Sequence, residues 1–220
     1  MIDKTKIKTV LFDYDGTLHN TLKIYEKAFK TVYESLVRDF GAPKKTWQAS
    51  EIAKFLGQTP TQMWSHFGED LSDEAKQTGL KRLSKTLDSA IQKGQAELYD
   101  GALEVLDYLK QKGYYLVFIS NCKQYYLEAH KAAFGLDRYF DLMVCSETFE
   151  GIQDKDKVLA QILPKLPKAG VIVGDRHHDM EAGIKNGLYT IGVNYGFGND
   201  EELSVADMRI DDIKTLKTLL

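Results

Sequence analysis

The chain has 220 residues, 43% of them hydrophobic, which is too apolar for a disordered polymer and enough for a sizeable core. Its net charge is −3 with both signs scattered, and no basic block or aromatic–basic alternation occurs, so nucleic acid is not an expected partner. No apolar stretch reaches membrane-spanning length, and no apolar signal segment precedes the first charged residues; the expectation is a cytoplasmic protein with no membrane partner.

In chain order, Asp3-Lys4-Thr5-Lys6-Ile7-Lys8 reads as a solvated lead-in to the apolar run Thr9–Phe12, the first buried strand. Asp13-Tyr14-Asp15-Gly16-Thr17 follows at once. Carboxylates rarely enter a core unless they are paired or bind a metal. Positions i and i+2 of a strand face the same side, so Asp13 and Asp15 are expected to converge at its carboxyl end. Gly16 then lets the backbone turn or approach a ligand closely. The plainer reading of Asp15-Gly16 is an ordinary β-turn.

From about Thr21 to Gln95 the pattern is helical with little strand signal. Tyr25, Phe29, Val32, Leu36 and Val37 make one apolar face, and Leu80, Leu83, Leu87 and Ile91 another, with Gly57-Gln58-Thr59-Pro60 as punctuation. Strands are then expected at Tyr115–Ser120, Leu142–Ser146, Ala169–Gly174 and Tyr189–Val193. Helical patterns at Gly101–Lys112, Gln124–Phe134, Asp156–Leu163 and Asp179–Asn186 separate them. Asp207–Ile210 reads as a short edge strand and Asp211–Leu220 as a terminal helix. This alternation predicts an α/β fold: a doubly wound, Rossmann-like parallel-sheet core of residues 1–19 and 96–220, with an all-helical cap domain, residues 20–95, inserted after the first strand.

Open parallel sheets bind ligands at the carboxyl ends of their strands. The first such end carries Asp13 and Asp15, and the second Ser120-Asn121, a hydroxyl and an amide suited to phosphate oxygens. Beyond the third lies Lys155, a point charge suited to a phosphoryl group. The fourth ends in Gly174-Asp175, followed by Arg176-His177-His178-Asp179; Asp175 adds a carboxylate and Asp179 can support it. Carboxylates suit Mg²⁺, and cationic or neutral donors suit the phosphoryl group on the other side.

In these four segments, in their order and in Leu98-Tyr99-Asp100-Gly101-Ala102, the chain resembles the haloacid dehalogenase superfamily, in its phosphoglycolate-phosphatase-like branch with a helical cap. The resemblance implies that Asp13 is a nucleophile forming a phosphoaspartyl intermediate and that Asp15 is the general acid and base. It further implies Mg²⁺ held by Asp13, the Asp15 carbonyl and Asp175. Ser120, Asn121 and Lys155 would bind phosphate. The activity implied is Mg²⁺-dependent hydrolysis of a small phosphorylated metabolite, a phosphomonoester. The alternatives are a phosphomutase and, from another class, a non-catalytic binding protein on the same fold. Asp15 itself separates phosphatases of this kind from true dehalogenases, which lack it.

The chain departs from the family in having Asp156 where many relatives have proline after the lysine, and Lys157 competes with Lys155. Lys155 aligns better with the start of the following helix. Adjacent His177 and His178 cannot readily share a metal and read as surface or supporting groups. His66 reads as a packing residue, and the resemblance alone implies that Gly57 belongs to a cap loop that reads the substrate. Cys122 and Cys145 form no CxxC and read as buried thiols.

Overall fold

The computed structural model describes residues 6–58, 60–152, 154–167 and 170–220; the expected strand start at Ala169, the lead-in Asp3–Thr5 and Thr59 lie outside them. The elements run β1 Thr9–Phe12, α1 Leu22–Phe40, α2 Ala49–Ala53, α3 Pro60–Phe67, α4 Asp73–Gln92, α5 Ala102–Gln111, β2 Tyr115–Ile119, α6 Gln124–Phe134, β3 Leu142–Val144, α7 Lys155–Ile162, β4 Gly170–Gly174, α8 His177–Lys185, β5 Tyr189–Val193, β6 Met208–Ile210 and α9 Leu216–Leu219.

The strands form one sheet in the order β3-β2-β1-β4-β5-β6, every pairing parallel. Helices cover both faces of such a sheet, which is why its central strands read as unbroken apolar runs. Val10, Leu11, Phe12, Val117, Phe118, Ile172 and Val173 are all fully buried. β1 pairs Thr9 with Tyr115 on one side and with Gly170 on the other. The chain order therefore reverses between β1 and β4, and a crevice opens at their carboxyl ends.

Several boundaries differ from expectation. β2 ends at Ile119; β3 ends at Val144, because the amide of Cys145 leaves the ladder for the Thr148 hydroxyl. α8 starts at His177, two residues before Asp179, whose carboxylate lies in the first turn and accepts from the Arg176 N–H. The expected terminal helix divides into a 3₁₀ turn, Ile213–Thr215, capped by Asp212, and the short α9.

Two compact units result: residues up to Asn20 with Leu98–Leu220, and Thr21–Glu97. In the helical unit, α1 buries Ile24, Tyr25, Ala28, Phe29, Val32, Tyr33 and Leu36, and α4 buries Ala75, Gly79, Leu83, Leu87 and Ile91. Val37 and Leu80, expected on these faces, are only half-buried, since they fall at the edges of the helical stripes. Phe29 centres an aromatic cluster: Trp47, Phe55 and Phe67 lie with ring centroids 5.2, 5.4 and 5.5 Å from it. α1 stops at Gly41, which is left-handed with φ +70°.

Candidate active site

Asp13 stands one residue past β1, and its N–H still donates to the Val173 carbonyl at 2.9 Å, so its backbone is fixed by β4. Its Oδ1 accepts from Lys155 Nζ at 2.6 Å. Asp15 is not presented by strand alternation, because β1 ends at Phe12 and a tight turn intervenes. In that turn Leu18 and His19 both donate to the Tyr14 carbonyl, and the amide of Gly16, φ +93°, donates to the His19 carbonyl. Asp15 Oδ1 instead lies 3.0 Å from His19 Nδ1 and 2.9 Å from the Tyr126 hydroxyl.

Lys155 opens α7, is buried, and donates a second time to Asp179 Oδ1 at 2.5 Å. Lys157, its competitor, is exposed and pairs with Asp154. Asp175 follows β4 and is fully buried. Its Oδ2 accepts from the Phe197 N–H at 2.7 Å, while its Oδ1 is buried with no hydrogen-bond partner among the described residues. Ser120 is buried at the end of β2, its Oγ accepting from the Cys122 N–H at 3.1 Å, and neighbouring Asn121 is exposed.

Asp13, Asp175 and Asp179 can each offer an oxygen within 4.8 Å of the others. Burial pushes the Asp13 carboxyl up to about 7, with Asp179 adding to the rise and Lys155 opposing it. Burial, then Asp13 and Asp179, also hold the Asp175 carboxyl well above the usual carboxylate range. Burial pulls Lys155 down, yet Asp13 and Asp179 together outweigh it and hold the ammonium charged. Two buried carboxylates thus share one ammonium with a third, Asp175, beside them, and positive charge is short. An orphaned carboxylate oxygen beside two further carboxylates fits a hard divalent cation, which takes oxygen ligands. Asp179 is engaged by Lys155 and by the Arg176 N–H, which leaves Asp13 and Asp175 as the better donors.

His177 points to Glu202, its Nδ1 3.1 Å from Oε2, and Arg176 Nε donates to the same oxygen. His66 is exposed in the helical unit with its ring against Phe55. Gly57 is exposed. Burial raises the Cys122 thiol, which disfavours a reactive thiolate.

Two groups are not among the residues expected from the sequence. One is the loop after β5, Tyr195-Gly196-Phe197-Gly198, which wraps Asp175. A Cβ on Gly196 would lie 2.2 Å from the Asp175 Cβ, and one on Gly198 1.9 Å from the Asp175 carbonyl oxygen. Its available signal was a pair of glycines just beyond a parallel strand's carboxyl end. The other is the pair His19 and Tyr126; a histidine in the turn after Asp15 was a signal for the first, and nothing local marks the second.

The sequence model of the haloacid dehalogenase-like hydrolases matches residues 10–193. The pyrophosphatase PpaX of Bacillus cereus is 26% identical over 193 residues, covering 86% of this chain and 84% of that protein. The phosphoglycolate phosphatase of Haemophilus influenzae is also 26% identical, over 98% of this chain and 99% of its own. A predicted phosphoglycolate phosphatase from Haemophilus somnus shares the fold, with a TM-score of 0.84 at 21% identity, covering 99% of this chain and 100% of that one. The family match and the named relatives make it a hydrolase of the phosphatase class. The chain belongs to the haloacid dehalogenase-like hydrolase family.

Proposed function

We propose that this enzyme hydrolyses a small phosphomonoester through a phosphoaspartyl intermediate on Asp13, with Mg²⁺ bound by Asp13, the Asp15 carbonyl and Asp175. The observation that carries the reading is the buried acidic cluster at the β1/β4 crevice, served by a single lysine and holding an orphaned Asp175 oxygen. When bound, Mg²⁺ would neutralise charge between the carboxylates and the phosphoryl oxygens.

Asp13 attacks phosphorus while the bond to the leaving oxygen breaks, and Asp15 gives that oxygen its proton. In the second half, Asp15 takes a proton from water, whose oxygen displaces the aspartyl oxygen; phosphate leaves and Asp13 is restored. Lys155 orients Asp13 and faces the developing phosphoryl charge, and Ser120 and Asn121 bind phosphate oxygens. Asp179 supports Lys155 and so the geometry of Asp13.

The relatives' names point to phosphoglycolate and pyrophosphate as first members of a substrate panel. The helical unit is assigned the part of a cap that selects the ester; substitutions there are expected to reorder the panel and leave metal affinity unchanged. The test is turnover of 4-nitrophenyl phosphate and of the panel with and without Mg²⁺, followed by ³¹P NMR. Hydrolysis releases free phosphate, whereas a mutase returns the group to the substrate. Asp13→Asn should lower turnover by about 10³-fold or more. Turnover that survives this substitution would sink the nucleophile assignment.

A further inference from the structure

Asp15 is held by an arrangement that the proposed chemistry does not by itself require. His19 and Tyr126 are both buried, and both address the same carboxylate oxygen, Oδ1, at 3.0 and 2.9 Å. Oδ1 accepts whether the carboxyl is ionised or carries its proton on Oδ2, so His19 presents its Nδ1–H and Tyr126 its O–H; the tautomer follows from the partner. The Tyr126 oxygen is 3.2 Å from the same Nδ1, so the three groups are mutually close.

The two donors are themselves fixed. His19 stacks on Tyr14, ring centroids 5.3 Å apart, and meets His130 edge-on at 4.4 Å. Tyr126 packs on His130 at 4.3 Å. Tyr14 and His130 are joined in turn, hydroxyl to Nδ1, at 2.7 Å. Close packing of these buried rings leaves the two donors little room to move. The elements differ as well: Asp15 and His19 sit in the turn after β1, and Tyr126 sits on α6. The network therefore ties the position of the Asp15 carboxyl to a second element of the core.

We propose that His19 and Tyr126 are positioning residues that clamp Oδ1 of Asp15 and so set the place from which its carboxyl delivers and recovers the proton. This rests on the reading of Asp15 as general acid and base. A misplacement of about 1 Å at such a group can lower a rate roughly 10²-fold, so the clamp has a measurable share in catalysis.

The test is steady-state kinetics of Tyr126→Phe, His19→Leu, His19→Asn and Asp15→Asn with Mg²⁺, on 4-nitrophenyl phosphate and on phenyl phosphate. Nitrophenolate leaves without a proton and phenolate needs one, while the water step uses Asp15 for both esters. In Tyr126→Phe and His19→Leu, kcat/KM should fall about 10-fold on phenyl phosphate and less than about 3-fold on the nitrophenyl ester. On the nitrophenyl ester kcat should fall more than kcat/KM, so KM drops. His19→Asn, which returns an N–H near the place of Nδ1, should recover much of the loss.

A merely structural role would reduce kcat and kcat/KM equally on both esters with KM unchanged, and that result overturns the clamp. Wild-type kinetics in both Tyr126→Phe and His19→Leu overturn it equally. Tyr126→Phe removes one oxygen and keeps the ring packing, so it carries the test if His19→Leu does not fold. Asp15→Asn separates the two levels. If it shows the ester-dependent loss and the clamp variants do not, the clamp fails alone. If Asp15→Asn is itself unaffected, the acid–base reading fails and the clamp with it.

Discussion

Replacing Lys155 with methionine is the sharpest probe of the core's electrostatics. Lys155 Nζ is the ammonium that pairs with both Asp13 and Asp179, and its side chain is 5% exposed. Removing one partner of a buried ion pair costs about 3–5 kcal/mol, because the remaining charge stays buried without compensation. Here two carboxylates lose their counter-charge and Asp175 lies beside them, so the upper part of that range applies. For a chain of this length, one kcal/mol moves Tm by about 2–4 °C, which gives a fall of roughly 10–20 °C for Lys155→Met in EDTA. Thermal unfolding by far-UV circular dichroism measures it, and amide exchange in β1 and β4 shows whether the loss is local to the crevice. Mg²⁺ at 100 times its Kd should return about 2.7 kcal/mol, since a cation bound by the folded cluster stabilises it by mass action. A Tm within about 2 °C of wild type in EDTA would refute the reasoning, because the three acids would then need no counter-ion.

Gly196→Ala would place a Cβ 2.2 Å from the Asp175 Cβ and 2.7 Å from the Gly16 carbonyl oxygen, neither of which can yield cheaply. Mg²⁺ affinity measured by calorimetry should fall about 10-fold or more, as for loss of a partner that orients a metal ligand. His130 gives a pH dependence. Burial first, then His19, push it down to about 3, with Asp15 opposing, and it also faces the neutral hydroxyls of Tyr14 and Tyr126. The unfolded chain takes up a proton below about pH 6.5 that the folded chain refuses, so this group's effect on stability worsens as pH falls from about 6.5 towards 3. Between pH 7.5 and 5.5 wild type should lose about 1.4 kcal/mol more than His130→Gln in urea unfolding, and equal losses would contradict the assignment.

Legibility in the sequence followed physical range. β1, β5 and α6 keep the bounds their patterns predict, since a fully buried run or a glycine-stopped helix carries its own limits. β3 is shorter than predicted, because the exit at Cys145 is decided by the Thr148 hydroxyl and not by apolarity. The residues brought to the crevice were all visible as charged groups: Asp13 and Asp175 just past apolar strands, and Lys155 and Asp179 at the starts of the helices that follow. Invisible were partners whose donor is a backbone amide, such as the Phe197 N–H, which has no residue-type signature. Equally hidden was the bond from Tyr126 to Asp15, which spans 111 residues. Strand periodicity also misled at Asp15, since the turn that begins at Tyr14 removes it from the strand on which the i, i+2 rule depends.

The aromatic cluster of the helical unit has an optical consequence. Both tryptophans of the chain, Trp47 and Trp64, belong to that unit, and the α/β core absorbs in the near-UV mainly through tyrosine, phenylalanine being a weak absorber. Trp47 meets Phe29 and Phe67 there, and Trp64 meets Phe67. Selective tryptophan excitation therefore illuminates one unit and leaves the other dark. Emission follows the packing of the helices, while ellipticity reports both units. The order in which the two bodies melt can be read from the unlabelled protein by comparing the two signals in a single titration.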